Sequence, residues 1–192
     1  MRRVPVIDTP RLHLRPYRNS DVDALHALWT DPVVRRHLWD DIVITRNRAA
    51  QVIQASIDCA AAHGVGQWVV YPAGASALIG FCGLSFIDET PEIQLLYGLA
   101  PPYWGCGLAT EAAHAVLRHA FSALRRERVY AITDTPNTAS VAVMQRLGMQ
   151  FDARFQHHGL DSLRYVITQE AFASRRRVQP GDADERKGDM AP

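Results

Sequence analysis

The sequence is short of cysteine, of net charge and of long apolar runs, and each shortage excludes a class of protein. Its three cysteines, Cys59, Cys82 and Cys106, are odd in number and lack metal-type spacing, which favours free thiols in a reducing compartment. The net charge of +1 provides no basic field for nucleic acid or anionic lipid. No stretch approaches the roughly 20 apolar residues of a membrane helix, and the first residues lack the apolar core of a signal peptide. We therefore expect a cytoplasmic protein with neither nucleic-acid nor membrane partners.

The length of 192 residues suits one domain of ordinary size. Residues 174–192 combine an arginine run, a Pro-Gly pair and mixed charges, and they lack apolar periodicity. We therefore expect a single domain over residues 1–173 and a disordered tail over residues 174–192.

Apolar periodicity and turn residues predict alternating strands and helices. Strands are predicted at residues 11–17, 67–71, 78–87, 92–99, 128–133, 150–157 and 163–168. Helices are predicted between N-cap candidates at 19–21 and residue 29, at residues 45–62 and 107–124, and between cap residues 137 and 148. The strand at 92–99, its following helix and the strand at 128–133 imply a parallel pair with a right-handed crossover. The predicted fold class is α/β with a mixed sheet.

A strand-turn-helix junction at residues 103–111 is the most informative segment. It places Gly105, Gly107 and the small Ala109 at the start of a predicted helix. Small residues let a ligand approach the main chain closely, and the first helical turn has N–H groups without intrahelical partners at the positive end of the helix dipole. The junction is therefore a predicted anion site, suited to phosphate.

The spacing of the glycines excludes two common phosphate-binding patterns. A dinucleotide fingerprint needs a glycine or alanine where Thr110 stands, and a phosphate-loop NTPase needs Lys-Ser or Lys-Thr after the glycines. The pattern that remains is Trp104-x-x-Gly107-x-Ala109. It resembles the Gln/Arg-x-x-Gly-x-Gly/Ala loop that binds the acyl-CoA pyrophosphate in the GNAT superfamily of N-acetyltransferases.

A second motif follows downstream. Asn137 is a good N-cap and Gly148 is a good residue just past a helix end, with one apolar stripe between them. This segment resembles the family's Asn-x-x-Ser helix that ends in Leu-Gly-Phe, here with Ser140 at the serine position and Met149 for the phenylalanine. The two motifs occur in the family's order.

Further segments resemble the ribosomal-protein N-terminal acetyltransferase branch of the family, usually described as RimJ/RimL-like. They are residues 9–16, 66–70 and 78–84, and the Glu92-Ile93 pair that precedes the glycine loop. The resemblance spans residues 9–173. It implies the GNAT fold, a mostly antiparallel central sheet in which one parallel strand-helix-strand pair holds acyl-CoA.

The resemblance also implies a cofactor, acetyl-CoA, with coenzyme A as its product. Trp104 and Cys106 stand where relatives have basic or amide residues, so backbone amides are expected to be the main phosphate ligands. Leu99 is expected to bind the pantetheine arm, with Asn137 and Ser140 beside the thioester. The full set of expected cofactor-binding residues is Leu99, Trp104, Gly105, Cys106, Gly107, Leu108, Ala109, Thr110, Asn137 and Ser140.

Two residues are candidates for catalysis. Ser140 is expected to donate a proton to the departing thiolate, and the resemblance suggests Glu92 as acceptor of the amine proton through water. Alternatively, Ser140 only belongs to a helix cap and Glu92 is a solvated carboxylate. The resemblance also implies candidates for the acceptor cleft, each of which equally suits core packing: Trp29, His37, Trp39, Phe86, Tyr97 and Tyr165. No metal is expected, because Glu111-x-x-His114 lacks the second ligand pair of a dimetal site.

The expected function is acetyl transfer to a primary amine by direct attack in a ternary complex, by a monomer or a homodimer. The favoured acceptor is a protein or peptide N-terminal α-amine. With a pKa of about 7.7–8.0, roughly a tenth of such an amine is neutral at pH 7, so a weak base suffices. Two alternatives remain open. One is acetylation of a small amine such as an amino acid, polyamine or antibiotic, and the other is a non-catalytic acyl-CoA-binding module.

Overall fold

An eight-stranded mixed sheet forms the centre of the computed structural model, which describes residues 4–88 and 90–177. The strands are β1 (Ile7–Asp8), β2 (Leu12–Pro16), β3 (Gln67–Pro72), β4 (Gly80–Phe86), β5 (Ile93–Leu99), β6 (Arg128–Asp134), β7 (Gln150–His157) and β8 (Leu160–Thr168). The helices are α1 (Val22–Thr30), α2 (Pro32–Arg35), α3 (Arg46–His63), α4 (Leu108–Ser122), α5 (Thr138–Leu147) and α6 (Gln169–Arg177). Short 3-10 turns occur at Asn19–Asp21, Trp39–Asp41 and Pro101–Tyr103.

Two helices, α3 and α5, have a side-chain cap at their first turn and a glycine just past their last residue, and for α5 both residues are the predicted caps. The Thr45 side chain accepts a hydrogen bond from a backbone N–H in the first turn of α3, which ends at Gly64. The Asn137 side chain does the same for α5, which ends at Gly148. Such caps satisfy backbone groups that the helix itself leaves unpaired.

Side-chain alternation along the strands gives each face of the sheet its own core. On β3, Trp68 and Val70 belong to the core that packs under α4, α5 and α6. Val69, which lies between them, belongs to the core under α1 and α3. The sheet is therefore covered by helices on both faces, and these faces become the two sides of the functional site.

The predicted fold class is confirmed. The strand order is β1-β2-β3-β4-β5-β6-β8-β7, and all neighbours are antiparallel except β5 and β6. That parallel pair is joined by α4, as the length of the predicted crossover required.

Some elements differ from the sequence-based prediction. The two-residue β1 and the four-residue α2 were not predicted, because elements so short have no measurable periodicity. β8 begins at Leu160 instead of residue 163, because it forms a tight hairpin with β7. The predicted tail begins too early, since residues 174–177 continue α6, whose Phe172 is buried in the core under α4. Residues 178–192 of that tail lie outside the described residues.

Within the described part of the chain, no helix is both long and apolar enough to cross a membrane.

Candidate active site

The parallel strands β5 and β6 separate toward their carboxyl ends. Each has seven residues, yet the register contains one pair of partners, Gln94 and Tyr130, near the start of both strands. β5 stays paired with β4 along its whole length, to Leu99. Beyond Gln94, the described residues include no β6 partner in register with this edge of β5. The opening exposes main-chain groups that an extended polar ligand can bind.

The glycine loop lies at the carboxyl end of β5, beside this opening. Gly105 and Gly107 both have left-handed backbone, with φ of 73° and 75°. A Cβ at Gly105 would meet no atom within 4 Å, so the space above the loop is open. Because α4 begins at Leu108, the amides of Leu108, Ala109 and Thr110 lack intrahelical partners. The loop therefore presents N–H donors to open space, as an anion site requires.

Two side chains of the loop are used to shape it. Trp104 donates its indole N–H to the Leu99 carbonyl at 2.6 Å, so that carbonyl is already engaged. The exposed Cys106 thiol donates to the Trp104 carbonyl at 3.4 Å. The Thr110 hydroxyl is buried and has no hydrogen-bond partner among the described residues. A buried hydroxyl without a partner is uncommon, and this one is in the first turn of α4, where the backbone amides are also unpaired.

A side-chain cluster that the sequence analysis missed lies against the same loop. Arg11 donates from Nη1 to the Cys106 carbonyl at 2.9 Å and from Nε to Glu111 Oε2 at 2.6 Å. The Arg11 amide and the Thr9 hydroxyl donate to Glu111 Oε1 at 3.0 and 2.7 Å. Burial acts to raise the pKa of Glu111, but these hydrogen bonds outweigh it and the pKa is lowered. No local pattern could have linked residues 100 positions apart.

The amino end of α5 is fixed against β5. Asn137 Oδ1 accepts from the Ser140 amide at 3.1 Å, and the Ser140 carbonyl accepts from the Tyr97 hydroxyl at 3.0 Å. Burial raises the pKa of Tyr97, which keeps its hydroxyl protonated as a donor. The structure therefore brings Asn137 and Ser140 to the opening between β5 and β6. Tyr97, predicted for the acceptor cleft, uses its hydroxyl to hold α5 instead.

Glu92 lies on the other face of the sheet. On β6, Val129 and Ala131 belong to the core under α4, so Tyr130 and Asp134 face the α1–α3 side. The Tyr130 hydroxyl donates to Glu92 Oε1 at 3.0 Å, which places the Glu92 carboxylate at the closed end of the opening. Asp134 is four residues beyond Tyr130 on β6. At about 3.3 Å per residue this is about 13 Å along the strand from Tyr130, at the open end.

Asp134 is a second carboxylate on this face that the sequence did not reveal. Its Oδ2 lies 3.9 Å from His37 Nδ1, and the two side chains are 24% and 30% exposed. Burial raises the pKa of Asp134 and Asp40 adds to the rise, whereas His37 and His157 oppose it. A partly buried carboxylate with a raised pKa beside a histidine is a candidate proton acceptor.

The segment that carries His37 has strained backbone. Trp39, Asp40 and Asp41 have φ of 62°, 53° and 59°, in the left-handed region that non-glycine residues rarely adopt. The Trp39 ring packs edge-on against Trp29 at 5.7 Å, and both indole N–H groups are buried without a partner among the described residues. Strain of this kind is concentrated at ligand-binding segments.

Three aromatic candidates for the acceptor cleft lie in packing positions. Trp29 is 2% exposed and belongs to the core under α1 and α3. Tyr165 is 7% exposed and belongs to the core under α4, on the opposite face from Asp134. Phe86 is at the end of β4 where β5 begins, covered by His63 and Arg126. Of the six candidates, His37 is on the Asp134 face and Trp39 is beside it on the same segment.

The arrangement as a whole suits transfer between two ligands. Backbone amides and the first turn of α5 lie at one side of the opening, and two carboxylates face the other side. An anionic ligand can be bound along the loop and the free edge of β5, while a nucleophile deprotonated by a carboxylate approaches from the other face.

Comparison with known proteins identifies relatives. Residues 11–150 match the family model described as acetyltransferase (GNAT) domain. The FsC-acetyl coenzyme A-N(2)-transacetylase of Aspergillus fumigatus is 30% identical over 185 residues, covering 88% of this chain and 78% of that protein. The spermidine N(1)-acetyltransferase of Escherichia coli is 23% identical over 145 residues, 75% of each protein.

Solved structures share the fold. One is RimL, a ribosomal L7/L12 alpha-N-protein acetyltransferase, in complex with coenzyme A. Its TM-score is 0.74 at 20% sequence identity, with 87% of this chain and 99% of that chain covered. At 20% sequence identity, the similarity between this chain and RimL shows a shared fold.

Proposed function

The chain belongs to the GNAT acetyltransferase family, and on this premise we propose that it acts in the cytoplasm and acetylates a protein or peptide N-terminal α-amine, the acceptor for which its structural neighbour RimL is named. Membership makes it an acyl-CoA-dependent N-acetyltransferase whose cofactor is acetyl-CoA. The acceptor and the residue roles are the proposed part.

The observation on which the proposal rests is the two-sided opening between β5 and β6. The glycine loop and α5 lie on one side, and Glu92 and Asp134 face the other. Cofactor and amine can therefore reach the opening together from opposite faces. This supports direct attack in a ternary complex, with no covalent enzyme intermediate.

The roles follow from these positions. Acetyl-CoA supplies an acetyl group activated as a thioester. The amides of residues 105–110 would bind its phosphates, and Asn137 and Ser140 in the first turn of α5 would be the residues next to its thioester. Ser140 donates a proton to the departing thiolate, and Glu92 accepts the proton of the amine through water, with Tyr130 orienting one carboxylate oxygen.

Exposed apolar side chains support a peptide as the acceptor. Val33, Ile42 and Val43 are exposed large hydrophobic residues close in sequence to His37, on the segment that joins α1 to α3. A peptide presents side chains beyond its α-amine that can pack on such residues, whereas a polyamine has only methylenes and further charges.

A small cationic amine is the second candidate. Asp40 lies close enough to Asp134 to raise its pKa, so two carboxylates converge where an amine would enter. One relative of the chain is a spermidine acetyltransferase. A polyamine, which carries several positive charges, would be attracted by this pair of carboxylates.

A thiol-release assay with matched acceptors tests the proposal. A short peptide with a free N-terminus should release coenzyme A, and the same peptide with an acetylated N-terminus and one lysine should be at least about tenfold slower at pH 7.5, because far less lysine is neutral. Faster turnover of spermidine than of the free peptide would favour the second candidate. Cofactor binding with no turnover across all acceptors would indicate a non-catalytic acyl-CoA-binding module.

A further inference from the structure

The glycine loop has no cation of its own. Residues 99–117 contain a single residue of the charged types Asp, Glu, Lys and Arg. It is Glu111, in the first turn of α4. Coenzyme A carries a pyrophosphate and a 3′-phosphate, so an ionised carboxylate in that turn opposes binding. The lowered pKa of Glu111 means that the carboxylate is ionised at neutral pH. The compensating positive charge has to come from another part of the chain.

Arg11, just before β2, brings that charge to the loop. Its Nε donates to Glu111 Oε2 at 2.6 Å, and its Nη1 donates to the Cys106 carbonyl at 2.9 Å. These bonds neutralise the carboxylate and tie the loop to the sheet. Guanidinium groups suit this use because their donors form a rigid planar fork.

One side of the guanidinium remains available. Nη2 makes no hydrogen bond to any of the described residues, and it lies 3.6 Å from where a Cβ on Gly107 would be. The Arg11 side chain is 52% exposed. Its free N–H groups therefore lie beside Gly107, the residue just before α4 and its unpaired backbone amides.

We propose that Arg11 is the cation of the cofactor site, binding a coenzyme A phosphate through Nη2 while Nε and Nη1 hold Glu111 and the loop. Arg11 thereby replaces the basic residues that the loop lacks at Trp104 and Cys106. Charge-assisted hydrogen bonds from arginine to phosphate are among the stronger protein contacts. The proposal concerns cofactor binding and is independent of the identity of the acceptor.

Calorimetric titration of the full chain with coenzyme A tests the role of Arg11. Arg11→Gln should raise the Kd at least about tenfold at low salt, and should flatten the dependence of Kd on salt, because one screened charge contact is lost. Arg46→Gln is the matched control, since Arg46 is 63% exposed and paired with Asp23 away from the loop. The control should bind as the unmodified chain does.

Two further variants separate the charge from the clamp. Arg11→Lys keeps the charge but loses the fork, so it should bind with an intermediate Kd and retain most of the salt dependence. Glu111→Gln removes the opposing charge, so its Kd should stay equal or fall. These variants decide the question even if Arg11→Gln does not fold.

The outcomes are distinct. Two results would overturn the phosphate contact in a folded Arg11→Gln variant: an unchanged Kd for coenzyme A, or a raised Kd with an unchanged salt dependence. Either would leave Arg11 and Glu111 as a structural ion pair. A loss that is equal for coenzyme A and 3′-dephospho-coenzyme A supports contact with the pyrophosphate. A loss confined to coenzyme A supports contact with the 3′-phosphate.

Discussion

The glycine loop and the proposed acceptor face lie on opposite sides of the same strands but are built from different parts of the chain. The loop consists of consecutive residues from Leu99 to Thr110, and its donors are mostly backbone amides. The acceptor face combines His37, before α3, with Asp134 at the end of β6 and Glu92 before β5. A binding site made of backbone depends on conformation, whereas one made of separate side chains depends on charge and tertiary contact.

This difference predicts which changes each side tolerates. A new Cβ or a changed φ should disable the loop while leaving the acceptor face intact. Removal of one charge should alter the acceptor face while leaving the backbone donors in place. Substitutions on the two sides can therefore be compared by whether they change cofactor binding or turnover.

The largest effect is expected for Gly107→Val. Gly107 has φ of 75°, and a branched side chain there both strains the backbone and blocks the approach of phosphate to the amides of α4. We expect coenzyme A binding to weaken by at least about 100-fold, or about 2.7 kcal/mol, in a calorimetric titration.

Gly74→Val is the matched control for that change. Gly74 has φ of 76° and open space around it, so its valine variant carries the same strain in the turn between β3 and β4. Both variants should lose similar thermal stability, and the control should keep its coenzyme A affinity. Equal affinities in the two variants would remove Gly107 from the cofactor site.

The second effect is expected for Ser140→Ala. If the hydroxyl acts on the departing thiolate, kcat should fall by about 10²–10⁴ with a smaller change in the KM for acetyl-CoA. The backbone bonds of Ser140 to Asn137 and Tyr97 are retained in the variant, so α5 should keep its position. Thr138→Ala, in the same turn but exposed, is the control and should keep its kcat. A Ser140→Ala variant with full kcat would leave Ser140 a structural residue.

The contrast between the two sides also explains what the sequence could predict. The glycine loop and the capped α5 are local, so spacing between neighbours was enough to locate them. Arg11 contacts Glu111 across 100 positions, and His37 contacts Asp134 across nearly as many, so no window of sequence contains either pair. Fold class followed from the length of the strand-helix-strand unit, which is also a local property.

The face of the sheet that an aromatic side chain occupies is hard to predict for a related reason. Tyr165 was correctly placed in a strand, but alternation in a strand buried on both faces does not indicate which face a given side chain occupies. Its pairing opposite Ala131 puts it in the core under α4. Trp29 is a cleft candidate through the family resemblance, with core packing as the alternative, and the structure buries it against Phe81 and Trp39.

The smallest effect, and the one that tests the acceptor face most directly, is expected for Asp134→Asn. Burial raises the pKa of Asp134 above its ordinary value of 3.8. The folded state therefore favours the protonated form, and this contribution to stability is present below the ordinary pKa and is lost as pH rises through the folded pKa. At pH 7 the ionised carboxylate costs stability, so the asparagine should raise the free energy of unfolding. The gain should be at most about 1 kcal/mol, because water still screens the side chain.

Urea unfolding at pH 7 and near pH 4 measures this gain, which should shrink as the pH falls. Asp161→Asn is a control of opposite sign, since hydrogen bonds from Arg154 and Thr135 lower the pKa of Asp161 to about 2, and its loss should destabilise the chain at pH 7. With the acceptor, Asp134→Asn should lower kcat/KM while the Kd for coenzyme A stays unchanged. If the variant is more stable yet fully active, Asp134 is a partly buried carboxylate that lowers stability without taking part in turnover. Glu92 then accepts the amine proton without it. If coenzyme A binding falls as well, the two sides of the sheet are not as independent as their construction indicates.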